Sequence, residues 1–261
     1  VAMAMDAGKV KSMGQMYSCP RQLRVFGRTI NDTHPFGRAC SVAEIMKESS
    51  NIGTAQIAGQ VGTEPMRRFL EGMGFLGKVE VELPERARSL TIPKASWDTS
   101  TTMTVGFGHA IAVTPLHLAM GYATLYNGGI YRPATLLKVD RSHPVAKGRR
   151  VFSEETSYKM RALLRLVVTK GTGKKADAIG YRVGGKTGTA EKIIGGRYSK
   201  TVNITSFAGV FPMDEPRYAM VVMLDEPKGT ADTFGFRTAG WNAAGTLGTL
   251  TLVEELWTLY L

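Results

Sequence analysis

Residues 180–192 read Gly-Tyr-Arg-Val-Gly-Gly-Lys-Thr-Gly-Thr-Ala-Glu-Lys, and the fold turns on which of two structures this stretch adopts. Gly180 to Thr187 satisfies the phosphate-loop pattern GxxxxGK[ST] letter for letter. Val221 to Glu226 (VVMLDE) adds an apolar run ending in Asp-Glu, of the kind that holds magnesium in many nucleotide hydrolases. A phosphate loop needs a buried strand before its first glycine and a helix starting at the lysine, because the helix N-terminus binds the phosphates. Here Lys174 to Ile179 (KKADAI) is polar, and Thr187-Gly188-Thr189 followed by Gly195-Gly196 has no helical periodicity. Thr and Gly in that pattern suit a strand with close backbone approach to a ligand. The P-loop nucleoside triphosphatase is therefore kept only as the weaker alternative.

Working outward, three strand candidates follow one another: Tyr181–Glu191, Asn203–Phe211 and Arg217–Glu226. The last two are joined by Pro212-Met-Asp-Glu-Pro216, and connections that short imply antiparallel neighbours. Upstream, Ser41 and Glu44 form a capping box for a helix with Val42, Ile45 and Met46 on its apolar face. Ser49-Ser50-Asn51 ends that helix, and a second short one, Ile52 to Gly59, follows at once. Thr63 to Met73 places Met66, Phe69, Leu70 and Met73 on one helical stripe. Residues 75–113 are rich in Gly, Pro and Thr and are expected to be irregular. Thr114-Pro115 opens a helix running to about Asn127, and Ile130 to Val139 reads as strand or extended loop. Ser153 caps an amphipathic helix with Glu154 and Glu155 in its first turn and Met160, Leu163, Leu164, Val167 and Val168 as its buried stripe. Trp241 to Leu261 is helix-like, and its Glu254 and Glu255 argue for packing or partner contact over a membrane span. Mixed helices, then a meander, then a helix predict an α+β domain with an antiparallel sheet.

Composition agrees with a folded domain: 261 residues with 43% hydrophobic content bury a substantial core, as one domain or two small ones. The formal charge of +11 favours anionic surroundings or is simply solvated surface. There is no run of five or six basic residues and no aromatic-basic ribonucleoprotein pattern, so nucleic acid is not an expected partner. Cys19 and Cys40 fit neither a zinc site nor CxxC, and two cysteines alone leave their pairing open. His34, His109, His117 and His143 form no HxxxH pair, and each reads as a surface or core histidine rather than a metal ligand. Val1 to Met5 is apolar but far too short to span a bilayer; it reads as the end of a helix running into Gly8.

Two tripeptides carry chemistry. Ser49-Ser50-Asn51 fits SxN and Lys186-Thr187-Gly188, followed by Thr189, fits KTG, two parts of a serine acyl-transfer set whose third part is SxxK. Each alone could be a cap, a turn or a surface strand. As a pair, Ser49 offers a hydroxyl to pass protons, Lys186 a cation, and Asn51 a donor to a substrate amide. The hydroxyls of Thr187 and Thr189 suit a carboxylate, Gly188 allows close approach to the strand edge, and strand N–H groups suit an oxyanion.

The resemblance is wider than those motifs. HPFGRACSVAEIMKESSNIGTAQIA (34–58), VGFGHAIAVTPLHLAMGYATLYNGG (105–129), GYRVGGKTGTAEK (180–192), TSFAGVFP (205–212) and VVMLDEPKGT (221–230) together resemble a class B penicillin-binding protein of the septal, cell-division type, over roughly residues 1–244. The resemblance implies the fold shared with serine β-lactamases, an antiparallel sheet sandwiched between helices. It implies serine-type D,D-transpeptidation of peptidoglycan stem peptides without a metal or organic cofactor, with β-lactam antibiotics acylating the same serine. Division-machinery partners and the periplasmic face of the inner membrane follow from it. By matching position, Ser49 becomes the proton-relay serine, Asn51 the substrate-amide ligand and Lys186 the KTG lysine. Thr187 and Thr189 become carboxylate ligands, the Thr189 N–H serves the oxyanion, and Gly188 completes the motif.

Two departures accompany it. No Ser-x-x-Lys occurs in the sequence; the nearest candidates read Ser96-Trp-Asp-Thr99 and Ser153-Glu-Glu-Thr156. The expectation is a partial domain over residues 1–261 that begins after SxxK and is inactive alone. The alternatives are a non-catalytic penicillin-binding-like module and a β-lactamase-like hydrolase whose deacylating base is not identified. The stretch after Ala244, residues 245–261, is also unlike the family's usual ending.

Overall fold

The structure is a computed structural model that describes residues 1–195, 197–251 and 259–260. The chain forms two compact units, Val1–Leu163 and Leu164–Leu261, whose boundary falls inside a single long helix.

The first unit opens with α1 (Ala2–Asp6) and four short strands, β1 (Met16–Cys19), β2 (Gln22–Val25), β3 (Arg28–Asn31) and β4 (Arg38–Ser41). β1 pairs antiparallel with β4, and β2 pairs with β3 as a separate hairpin. Cys19 and Cys40 are joined in a disulfide, both almost fully buried, which answers the question their spacing left open. Ser41 then caps α2 (Val42–Glu48) with the full capping box: its Oγ accepts from Glu44 N, and Glu44 returns a carboxylate oxygen to Ser41 N. α3 (Asn51–Val61) and α4 (Thr63–Gly72) follow as the periodicity predicts. Ile52 and Ala55 of α3 are buried with Ile30 of β3 and Met103.

Met103 belongs to a helix the sequence reading lacked. After β5 (Leu90–Thr91), α5 (Thr99–Gly106) occupies part of the stretch expected to be irregular. Its sequence, TSTTMTVG, is poor in helix formers, so intrinsic propensity points away from it. Local capping and packing outweigh that: Asp98 accepts from Thr101 N at 2.7 Å, and Met103 and Val105 are buried. β6 (Ile111–Ala112), α6 (Pro115–Tyr126), β7 (Ile130–Tyr131) and β8 (Arg149–Arg150) complete the unit, and the stretch expected over 130–139 as strand or extended loop is two strand residues followed by loop. α7 (Glu154–Lys170) begins with Ser153 Oγ accepting from Thr156 N.

In the second unit β9 (Gly184–Ile194), β10 (Arg197–Phe211) and β11 (Tyr218–Asp225) form the expected antiparallel meander. α8 (Ala243–Thr251) and the last turns of α7 supply its apolar cover, with Val168, Ala243 and Leu247 in one core with Phe207, Phe211 and Val222. The helix-like stretch expected over 241–261 therefore holds only in part. Leu259–Tyr260 is a strand, β12, paired antiparallel with Tyr218 and Ala219, and residues 252–258 and 261 lie outside the described residues. Among the described residues the strand order is β12-β11-β10-β9, which leaves β9 at one end of the sheet. The architecture is α+β with an antiparallel sheet.

Candidate active site

The candidate residues fall in two places, one in each unit. In the first, Ser49 ends α2 with φ +60° and ψ +47°, a left-handed conformation that costs a non-glycine residue about 1–2 kcal/mol. It is sustained because the N–H groups of Ser49 and Ser50 both donate to Ile45 O. That reversal lets α3 start immediately: Ser50, buried, caps it by accepting from Gly53 N at 3.0 Å. The strained serine and the amide of Asn51 thus flank a fixed point, the pattern expected where strain is kept for function.

Residues distant in sequence fix the same turn. Asn51 Nδ2 donates to Asn31 O at 2.9 Å, Ser50 Oγ donates to Asp32 Oδ2 at 2.7 Å, and Ile52 N donates to Asp32 Oδ1 at 3.0 Å. No motif points to Asp32; a lone Asp after a hairpin carries no sequence signal that separates it from a turn residue. Gly53 makes the helix–helix corner possible, since a Cβ there would lie 2.4 Å from the buried Ile45 side chain.

In the second place, Lys186-Thr187-Gly188-Thr189 lies on β9, opposite Ala208, Phe207, Ser206 and Thr205 of β10. This overturns the nucleotide-loop reading of Gly180–Thr187, because Lys186 is inside a paired strand and no helix begins at it to bind phosphate. Lys186 Nζ donates to Thr187 O at 3.1 Å, and although the side chain is partly exposed, desolvation pushes its ammonium down to about 8. Thr187 Oγ1 shares a 2.7 Å hydrogen bond with Thr172 Oγ1. Thr189 Oγ1 accepts from Ala239 N at 3.1 Å, which leaves its own O–H to act as donor, the role a carboxylate ligand requires. Thr172 and Ala239, also without a sequence signal, brace the strand. The glycines have an internal reason besides ligand access: a Cβ at Gly188 would lie 2.8 Å from Ser206 Oγ, and one at Gly185 only 2.4 Å from Ala208 O.

His117 is a packed histidine: its Nδ1 accepts from Thr114 N in the capping box of α6, and burial pushes its pKa down. Among the described residues no group of three or more His, Cys, Asp or Glu is placed to hold a metal, and no helix is long and apolar enough to cross a membrane.

Residues 1–241 match the penicillin binding protein transpeptidase domain. The chain is 40% identical over 258 residues to the probable peptidoglycan D,D-transpeptidase FtsI of Caulobacter vibrioides, covering 95% of this chain and 43% of that protein. It is 32% identical over 231 residues to the peptidoglycan D,D-transpeptidase FtsI of Escherichia coli, covering 87% of this chain and 38% of the relative. It thus spans about two-fifths of the length of these relatives. Among solved structures, the apo transpeptidase domain of Burkholderia pseudomallei penicillin-binding protein 3 superposes with a TM-score of 0.86 at 30% identity, covering 96% of this chain and 74% of that one. Penicillin-binding protein 3 of Mycobacterium tuberculosis in complex with aztreonam superposes with a TM-score of 0.85 at 27% identity, covering 99% of this chain and 61% of that one. On that match over residues 1–241 and that identity, the chain belongs to the penicillin-binding protein transpeptidase domain family.

Proposed function

We propose that this chain is part of a septal peptidoglycan D,D-transpeptidase that cross-links stem peptides by serine acyl transfer. The observation that carries the reading is the placement of Lys186-Thr187-Gly188-Thr189 on a terminal strand of an antiparallel sheet, with a desolvated ammonium at its head. In the reaction a serine oxygen attacks the carbonyl of a donor peptide, the amide C–N bond breaks, and the serine proton passes to the departing amine. An acceptor amine then takes the acyl group and returns its proton to the serine. Ser49 relays those protons, Asn51 holds the donor's amide, and the N–H of Thr189 serves the developing oxyanion. Lys186 supplies positive charge, and Thr187 and Thr189 donate to the donor's carboxylate.

The attacking serine belongs to the Ser-x-x-Lys part of the set, which does not occur in residues 1–261. The same roles predict acylation by β-lactams, a reading supported by the aztreonam and ampicillin complexes of the M. tuberculosis relative. A periplasmic setting is supported by the buried Cys19–Cys40 disulfide, since such bonds persist in oxidising compartments.

Labelling with a fluorescent penicillin tests this, comparing residues 1–261 with the full-length protein encoded at the same locus. Covalent labelling of the longer protein alone supports the transpeptidase reading. Labelling of neither refutes it. A full-length protein that binds penicillin reversibly and never covalently selects the non-catalytic module instead.

A further inference from the structure

We propose that Cys19 and Cys40 are an oxidation site: a disulfide donor joins them while the first unit is still open, and the bond then holds the Ser49–Asn51 turn in register. The order of events follows from burial. In the folded protein Cys19 is 1% exposed and Cys40 0%. Thiol–disulfide exchange requires a thiolate to reach a sulfur, so neither oxidant nor reductant acts on the closed unit. The pair is therefore joined on the open chain, where a separation of 21 residues closes at small entropic cost. Residues 20–39 carry Arg21, Arg24, Arg28 and Arg38 against the single acid Asp32, and cations near a thiol favour the thiolate that carries out exchange. One thiolate attacks the donor's disulfide, giving a mixed disulfide and a released donor thiol. The second cysteine then attacks that mixed disulfide and releases the donor's other thiol. Two protons and two electrons leave Cys19 and Cys40, and the donor is reduced to two thiols.

The effect on the site follows from where the bond sits. From Cys40 the chain passes through Ser41, the N-cap of α2, along α2, through Ser49–Asn51 and into α3. α3 is stitched back to β1 by side chains: Gln56 Nε2 donates to Ser18 O, and the Tyr17 hydroxyl donates to Gln60 Oε1 at 3.0 Å. β1 ends at Cys19, so the disulfide closes a ring that contains the turn. Without it the ring closes only through the β1–β4 ladder, a pair of four-residue strands, and an isolated two-stranded pair is marginal in water. The first rung of that ladder is Met16–Ser41, so a slip there moves the cap of α2. For groups that move protons and hold an amide, a displacement of about 1 Å costs on the order of 100-fold in rate.

The hold on the turn rests on the transpeptidase reading, whereas the order of oxidation and closure does not. Full-length protein is unfolded in urea with dithiothreitol and refolded with or without oxidised glutathione. Alkylation and mass spectrometry follow the two thiols, and the acylation rate constant for a fluorescent penicillin is resolved from its initial binding constant. Native protein is expected to keep the bond in dithiothreitol and to lose it only when urea is added. Protein refolded without glutathione should acylate about 10- to 30-fold more slowly, with initial binding changed less than about 3-fold, and glutathione should restore the rate. Cys19→Ala/Cys40→Ala should be slow with or without glutathione. Gln56→Ala should lower the rate about 5-fold in bonded protein and less than about 2-fold in the Cys19→Ala/Cys40→Ala background, where the ring is already open. A reduced chain that refolds only once glutathione is added upholds the order, and Gln56→Ala in bonded protein then decides the hold. Reduction of native protein as fast as in urea overturns the proposal. So does a wild-type acylation rate in the reduced or Cys19→Ala/Cys40→Ala protein, or an equal Gln56→Ala loss in both backgrounds. A bonded wild type that never acylates overturns the transpeptidase reading and the hold with it, while alkylation still decides the order.

Discussion

Side chains hold the Ser49–Asn51 turn, whereas the backbone holds Lys186–Thr189. The turn is assembled from side-chain bonds at Ser50, Asn51 and Asp32 around a strained left-handed serine. The strand is assembled from a ladder to β10, with glycines where any added atom would strike the neighbouring strand, and side chains enter as braces at Thr172, Thr187 and Thr189. A structure of the first kind is damaged by removing atoms, one of the second kind by adding them.

The sharpest way to break this contrast is at the reacting groups, where both regions should fail alike. Asn51→Ala and Lys186→Ala are each expected to lower penicillin acylation of the full-length protein by about 10²–10⁴-fold, read as labelling rate. Their pH dependence should differ. With its pKa lowered to about 8, Lys186 loses its charge as pH rises through 8, so a rate that needs the cation falls there. Lys186→Arg, which stays protonated, should be flat from about pH 7 to 9. Stability moves the other way: between pH 8 and 10.5 the unfolded chain holds the proton more tightly than the folded one, so folding strengthens with pH.

Next in size is the tie that the first unit has and the second lacks. Cys19 and Cys40 are the only cysteines, and both lie ahead of the turn. Replacing both by Ala should cost about 3 kcal/mol by loop-closure entropy. Hydrogen exchange should quicken in residues 16–41 and leave β9 to β11 unchanged. Gly185→Ala should do the reverse, costing about 2 kcal/mol, since its Cβ would lie 2.4 Å from Ala208 O and 2.6 Å from the Phe207 ring. Exchange in β9 and β10 reports it.

The smallest effect is Ser41→Ala, about 1 kcal/mol for a lost N-cap, seen in the denaturant midpoint. Its partner Glu44 adds an acid signature. Arg38 first, then Ser41 N–H, hold that carboxyl down at about 2 against an ordinary 4.5. Its contribution is complete above pH 4.5 and is lost as pH falls toward 2, and Glu44→Gln should remove that dependence.

The same contrast explains what the sequence disclosed. Helix starts at Ser41, Thr114 and Ser153 were readable because their bonds join residues three apart, and the meander because its connections are short. Lys186 was readable as a strand residue from the missing helix after it. The helix Thr99–Gly106 was not readable, because burial of Met103 and Val105 decides it against local propensity. Asp32, 18 residues before Ser50, was invisible for the same reason: its partners exist only once the hairpin has folded. The strand at Leu259–Tyr260 depends on Tyr218 and Ala219, some forty residues earlier, and no pattern near the terminus announces it.

The corner between α2 and α3 has a hereditary consequence. With only 2.4 Å between a Cβ at position 53 and the Ile45 side chain, the two positions cannot drift independently. A lineage that acquires alanine at 53 must shorten 45 at nearly the same time, or lose the serine reversal between them. Selection should therefore admit a side chain at position 53 only where position 45 has shortened, and a library that varies 53 alone will record it as immutable.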